Sequence, residues 1–337
     1  MKKTERNMLE GPLAWGILSY TIPIILTSYL QLLFNAADLV VVGRFCGSIS
    51  VAAVGVTGAI TNLIVNLFIG LSVGAGVSVA HAIGSREDEV VHRTVHTALL
   101  MALVGGVLLT VVGVRYSTTF LRWMDTPENV LPLSSLYMRI YFGGITFTLV
   151  YNYCTSILRA AGDTQSPMII LMVAGLLNVV LNVVFVAGFH MNVDGVAWAT
   201  VISQAVSAVA VTVVLMNRKD ACRFHPKKMR IYGPQLKKIV RIGLPAGIQG
   251  ATFSISNVII QSSMNSFGDA MVSGNAAVSN VEGFCYSAVN GFHQAAVNYI
   301  GQNVGAHQFE RVKKVFWMCV LYATLAGLIT GGLFTIF

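Results

Sequence analysis

Nine stretches of this sequence are predominantly apolar over lengths that match a bilayer, and short polar or charged segments separate them. They run about 14–42, 51–80, 94–114, 133–158, 167–189, 193–216, 239–264, 272–302 and 315–337. A run of about 20 apolar residues is long enough to cross a membrane as a helix. Inside lipid, a helix satisfies all of its own backbone N–H and C=O groups, which an open strand cannot do. The sequence therefore predicts an all-α polytopic membrane protein. Several stretches exceed the minimum, so tilt or bending is expected. Pro23 and Pro245 lie inside the first and seventh stretches, where each removes a backbone hydrogen bond and favours a kink. Composition agrees, with 55% hydrophobic and 11% charged residues in 337 and a mean hydropathy of +0.70. A soluble domain carries about 25% charged residues, so charge this thin argues against a soluble enzyme.

The formal net charge is +8, from 22 Lys+Arg against 14 Asp+Glu. A basic balance can signal nucleic acid, but here the charge sits between apolar stretches, where the cytoplasmic bias of Lys and Arg accounts for it. With the N-terminus inside, 18 of the 22 basic residues fall in inside segments, and Arg44, Arg115, Arg122 and Arg139 are left outside. This predicts a multi-pass protein of the plasma (or inner) membrane with a cytoplasmic N-terminus. The start, MKKTERNMLEGPLAWG, is positive but lacks a short apolar core ending at a small-residue cleavage site, so an uncleaved first helix is expected. The five cysteines, Cys46, Cys154, Cys222, Cys285 and Cys319, show no C-x-x-C and no pairing pattern, and predict neither a disulfide framework nor a zinc site.

The polar stretch 217–238 divides the chain, and an internal repeat spans it. An offset of 222 aligns Pro23 with Pro245, Asn35 with Asn257 and Phe45 with Phe267. After a one-residue gap, Gly70 aligns with Gly291, Gly84 with Gly305 and Glu89 with Glu310. Each pair falls at the same place in the hydropathy pattern. With six helices between them, the copies share one orientation, a parallel repeat of the kind found in transporters. The expected organisation is a complete six-helix N-terminal bundle (1–216), a cytoplasmic linker (217–238) and half of a second bundle (239–337). On the repeat's own spacing a full second copy would need about 100 further residues, giving twelve helices of which this chain holds nine.

Of the acids, Asp38 and Glu282 lie well within apolar stretches. A carboxylate at a helix centre costs about 2.5–3.5 kcal/mol on insertion, so each calls for a reason. Thr27, Gln31, Asn35 and Asp38 recur on one face of the first segment. Two readings fit Asp38: an ion- or proton-binding carboxylate, or a partner of Arg44 near the outer interface. Glu282, Tyr286 and His293 share a face of the eighth segment, and Asn290, Gln294 and Asn298 an adjoining one. The amides suit hydrogen bonds between helices, for which no carboxylate is needed. Asn178 and Asn182 stack one turn apart on the fifth segment and fit either a cation or polar-ligand site or plain packing. The ion-coupling candidates are thus Asp38, Asn35, Asn178 and Asn182, and the cavity candidates Gln31, Tyr286, Glu282 and Asn290. His92 and His96 have the spacing of a metal pair but no evident third ligand, and read as a solvated helix end. No G-x-x-x-x-G-K-[ST] occurs. Transport by this chain alone would draw on an ion gradient, with no cofactor and no metal expected.

Several stretches carry a family resemblance. FNAADLVVVGRFCG (34–47), LRAAGDTQSPM (158–168), LLNVVLNVVFVAGFHMNVDGVAWATVISQ (176–204) and HQAAVNYIGQNVGA (293–306) are similar, in order, to segments of the multidrug and toxic compound extrusion family. The resemblance implies two six-helix bundles facing each other across a central cavity. It also implies expulsion of organic cations and other amphipathic compounds in exchange for protons or sodium. The family's first-helix carboxylate, to which coupling is attributed, matches Asp38. Many members have an aspartate where this chain has Asn182, and some sodium-coupled members have an acid in helix 7, whereas 247–268 has none. These departures favour protons over sodium.

Protonation of a shielded carboxylate removes the cost of enclosing a charge, so it can bias one of two bundle arrangements. Aromatic rings and amides beside a carboxylate would suit lipophilic cations. The expected partners are small amphipathic or cationic molecules and the lipid bilayer, with no nucleic acid and a monomeric state. The nearest alternative is a lipid-linked saccharide flippase, which would need basic residues facing its cavity for pyrophosphate. An intramembrane enzyme would need a nucleophile–base pair or metal cluster at membrane depth, and none stands out. A non-transporting remnant is a third alternative.

Overall fold

The computed structural model describes residues 7–265 and 269–336. Among them the chain is all-helical. Ten α-helices follow in order: α1 (Leu13–Phe45), α2 (Ser48–Gly84), α3 (Asp88–Trp123), α4 (Leu131–Gly143), α5 (Ile145–Ala160), α6 (Gln165–Val183), α7 (Val193–Met216), α8 (Gly233–Asn265), α9 (Asp269–Gly305) and α10 (Phe309–Ile336). A π turn, Val184–Gly188, extends α6, and a single 3-10 turn, Pro226–Lys228, interrupts the linker. Among the described residues six helices are long and apolar enough to cross a bilayer: α1, α2, α3, α6 with its π turn, α7 and α10.

Eight of the nine apolar stretches correspond to one helix each. The fourth, expected as a single helix over 133–158, is broken into α4 and α5 at Gly143–Gly144. Glycine is the weakest helix former after proline, and a side chain at Gly144 would overlap Val201 of α7. The break therefore lets α7 approach closely. The linker is also shorter than expected, since α8 begins at Gly233 within 217–238.

Successive helices run antiparallel, with α4 and α5 as the two halves of one pass. One end of the molecule gathers the N-terminal segment, the α2–α3 and α5–α6 turns, the linker and the α9–α10 turn. We call it the linker end. Its core is built from α2, α3, α5 and α7, with Val79, Val95, Ile157, Val211 and Leu215 buried together. The apolar stripe of many helices points outward, as with Val104, Val107, Leu108 and Val111 of α3 and Leu176 and Val180 of α6. This is the arrangement lipid demands, and water would disfavour it.

The repeat is visible in the contacts. α8 lies along α2 through facing glycines, Gly70 and Gly74 against Gly243 and Gly247, so the two backbones touch. Gly291, the counterpart of Gly70, lies against Thr21 and Ile25 of α1, which are the counterparts of Gly243 and Gly247 at the offset of 222. Gly84 meets the carbonyl of Gln302, and its counterpart Gly305 meets the carbonyl of His81, the counterpart of Gln302. Each contact is thus answered by its mirror, as in a self-complementary interface. The helix ends match as well. Arg86 and His307 both take a left-handed φ of 56°, closing α2 and α9 with the same bond from the following residue, Glu87 N to Ala82 O and Gln308 N to Asn303 O, both 3.1 Å or shorter. Phe267, paired with Phe45 in the sequence repeat, lies outside the described residues.

Candidate functional site

Asp38 reaches its partners because α1 and α6 pack closely one turn away. Gly175 of α6 leaves room for the ring of Phe34, and Asp38 follows Phe34 by one helical turn, as Asn178 follows Gly175 by one turn and Asn182 by two. Asn182 Nδ2 donates to Asp38 Oδ1 and also to Asn178 Oδ1, the latter at 3.2 Å. Asn178 Nδ2 in turn donates to Thr200 Oγ1 of α7 at 3.5 Å. Asn178 and Asn182 are buried and Asp38 is half-buried. Val41, Val42, Val186 and Val196 pack beside them, with Tyr137 of α4 against the same cluster. Thr200 is a member that sequence reasoning missed. Its signal was present in WATVISQ, but a lone threonine in an apolar helix has no pattern to announce it.

The group offers one carboxylate, two amides and a hydroxyl. Hard oxygen donors of this kind suit a proton or an alkali cation better than a soft transition metal. Asn182 Oδ1 is buried without a hydrogen-bond partner. An amide turned by 180° exchanges its nitrogen for its oxygen, so the same side chain can donate to a carboxylate or accept from a carboxylic acid. The site can therefore satisfy Asp38 in both protonation states. The repeat does not duplicate it, because Ile260 occupies the position equivalent to Asp38.

The structure divides the polar stripe expected on α1. Thr27 turns its hydroxyl to Pro23 O of its own helix at 2.7 Å, and Gln31 and Asn35 are exposed. Of the four, only Asp38 joins the α6 amides. Asn35 thus stands apart from the other three coupling candidates, since two residues three positions apart on a helix point in directions about 60° apart. The alternative pairing with Arg44 is not formed: among the described residues no ion pair joins the two. On α9, Glu282 and His293 are exposed and Asn290 is half-buried. Tyr286 stacks on Phe253 of α8 with ring centroids 5.9 Å apart. Among the described residues none of these hydrogen-bonds to the Asp38 group, so the expected sites form two separate places on the molecule.

Amide bonding between helices, expected of α9, occurs at the linker end. Arg159 Nη1 donates to Gln294 Oε1, and Gln302 Nε2 donates to Ala160 O at 2.7 Å. Tyr20 OH of α1 donates to Arg159 O at 2.8 Å. Asn298 instead bonds Gln294 O within its own helix at 2.9 Å. Arg218 at the start of the linker reaches Asp220 and, at 4.0 Å, Asp163, whose carboxylate also accepts from Ser166 N at 3.0 Å. The reading of His92 and His96 as a solvated helix end needs correction. His96 is fully buried, and the folded linker sets His225 beside both.

A family model described as MatE matches residues 23–184 and 245–337. The two matched stretches begin at Pro23 and Pro245, the offset of the internal repeat. YoeA of Bacillus subtilis (strain 168), a probable multidrug resistance protein, is 30% identical over 313 residues, covering 90% of this chain and 67% of its own length. YpnP of the same organism, also a probable multidrug resistance protein, is 26% identical over 308 residues, covering 91% and 68%. A solved outward-facing conformation of a multidrug resistance MATE family transporter of the MOP superfamily superposes with a TM-score of 0.93 at 24% identity, covering 100% of this chain and 74% of that one.

Proposed function

Because the chain belongs to the MatE family, a family of multi-pass membrane transporters, we propose that it expels organic cations or other amphipathic compounds by secondary active antiport. The observation that carries this reading is the chain of bonds from Asp38 through Asn182 and Asn178 to Thr200. It joins an intramembrane carboxylate of α1 to two further helices, α6 and α7, through neutral partners. We take protons as the coupling ion, with sodium as the alternative. A proton on Asp38 reverses the sign of the best hydrogen bond to Asn182, and so biases how α1 sits against α6. A ligand moves a two-state equilibrium only by its difference in affinity for the two states, and a bond that must change direction provides such a difference.

We further take the linker end as cytoplasmic and closed. Its bonds from α9 to the α5–α6 turn hold the two repeats together there, in keeping with the outward-facing conformation of the similar transporter. Exposed Gln31, Asn35, Glu282 and Tyr286 would then face the drug path. The residues 1–216 act as one moving unit, against which those after the linker move. A flippase is not favoured: Arg159, at the linker end of α5, is engaged by Gln294 and is not offered to a pyrophosphate.

The test is Asp38→Asn in the full-length protein, measured as drug efflux from energised cells and as proton release from vesicles. The substitution keeps shape and removes the charge, so expression should persist while coupled efflux falls to background. Efflux at the parent rate across a range of pH would reduce Asp38 to a structural role.

A further inference from the structure

His92 and His96 are one turn apart on α3, which puts both imidazoles on one face, and their ring centroids are 4.0 Å apart. The linker folds across this end of α3 and adds a third imidazole, His225, 6.0 Å from His92 and 6.3 Å from His96. One ring nitrogen from each of the three lies within 4.8 Å of the other two. Side-chain and backbone bonds hold the linker in this place. Tyr232 N donates to Thr97 Oγ1 at 3.2 Å, and the Arg93 guanidinium lies over the Tyr232 ring, 5.4 Å from its centre.

Two details of the ring nitrogens point to a ligand. His96 Nδ1 lies 2.7 Å from His92 O. That contact requires the ring proton on Nδ1 and leaves the lone pair on Nε2, the way a backbone carbonyl orients a metal-ligating histidine. The Nε2 lone pair accepts the backbone N–H of His225 at 3.1 Å, a bond that a metal would replace. His225 Nδ1 is buried with no hydrogen-bond partner. Buried polar atoms are almost always bonded, so this nitrogen calls for a partner, which an ion held with the other two rings would supply.

We propose that His92, His96 and His225 bind one divalent transition-metal ion of the zinc class, which fastens the linker to α3. Imidazole donors suit Zn2+, Co2+ or Ni2+, whereas Mg2+ and Ca2+ prefer oxygen. A tetrahedral ion with bonds of about 2.05 Å holds its nitrogens about 3.4 Å apart. The three ring nitrogens therefore need to close by up to roughly 1.4 Å, most of it supplied by the linker. The cleft beside His92 is lined by Glu89, Lys227, Lys228 and Tyr232, which leaves a fourth position for water. Lys227 and Lys228 are exposed, so solvent screens their charge from the ion. The ion would fix the point at which the linker leaves the first set of helices. Motion between the repeats would then be taken up between His225 and α8. This site is independent of coupling at Asp38 and stands whatever the transported substrate.

The test titrates the full-length protein, purified in detergent with any affinity tag removed, with Co2+ and then with Zn2+. One Co2+ per chain is expected, with the intense visible absorption of a tetrahedral ion, displaced by Zn2+. Zn2+ should also raise the temperature of thermal unfolding. His225→Ala and His92→Ala should each weaken Co2+ binding by more than about tenfold, the least expected even from disturbing groups around a ligand, and should abolish the Zn2+ effect. Circular dichroism of both variants at parent helix content separates loss of a ligand from loss of fold. His190→Ala, at the opposite end of the molecule, should bind as the parent does. Absence of stoichiometric Co2+ binding, or parent affinity in His225→Ala, would overturn the proposal.

Discussion

Asp38 is partnered by an amide, and that choice has consequences at the scale of single residues. A guanidinium such as Arg44 at bonding distance would lock the carboxylate in its charged form. The amide of Asn182 stabilises the anion by donation yet carries no charge of its own, so protonation stays reversible. Asn182 also bonds Asn178, so one side chain serves two acceptors. Asn182→Leu, of similar volume, should leave both acceptors short of a donor and destabilise the protein by about 1–3 kcal/mol, the cost of unsatisfied buried polar groups. Thermal unfolding in detergent reads this directly. An unchanged midpoint would mean that other groups or water take over the bonds.

At the scale of elements, close approach of helices rests on glycine. A methyl group at Gly84 would overlap the Gln302 carbonyl, and one at Gly305 would overlap the His81 carbonyl. These neighbours are backbone and cannot rotate away, so α2 and α9 must separate. Overpacking of this kind typically costs about 1–3 kcal/mol. Because the two contacts are reciprocal, Gly84→Ala and Gly305→Ala should destabilise to a similar degree, whereas Gly331→Ala, inside α10 with nothing within 4 Å of the added atom, should be neutral or stabilising by up to about 1 kcal/mol, the helix preference for alanine over glycine. Markedly unequal effects at Gly84 and Gly305 would contradict the symmetry of the interface. The break between α4 and α5 follows the same logic, since Gly144 lies where Val201 of α7 leaves no room for a side chain.

At the scale of the whole molecule, the linker end is laced together across the repeats. Asn303 Nδ2 donates to Met8 O at 3.1 Å and Arg311 Nη2 to Gly11 O at 3.1 Å, so the segment before α1 is strapped to α9 and α10. Gln302 and Gln294 add the bonds to the α5–α6 turn. With an N-terminus on the cytoplasmic side, all of these contacts, and the exposed Lys227 of the linker, face the cytoplasm. In a Lys227→Cys variant, a membrane-impermeant thiol reagent should label the new cysteine in inside-out vesicles and not in intact cells. Labelling in intact cells would invert the topology.

The sequence by itself determined the succession of helices, the parallel repeat and the intramembrane polar residues, because transfer from water to lipid acts on each stretch of chain separately. Asp38, Asn178 and Asn182 were legible for that reason, as costly groups that lipid would otherwise exclude. Tertiary structure alone decided which of them meet. Asn35 sits only three residues from Asp38, yet the rotation of α1 leaves it exposed while Asp38 turns to α6. Thr200 joined the site, and His225 joined His92 and His96, from positions 22 and 129 residues distant along the chain. Hydropathy records how deep a residue lies, but not the direction its helix face points. That direction is set by where neighbouring backbones can touch, at Gly175 against Phe34 and at Gly144 against Val201.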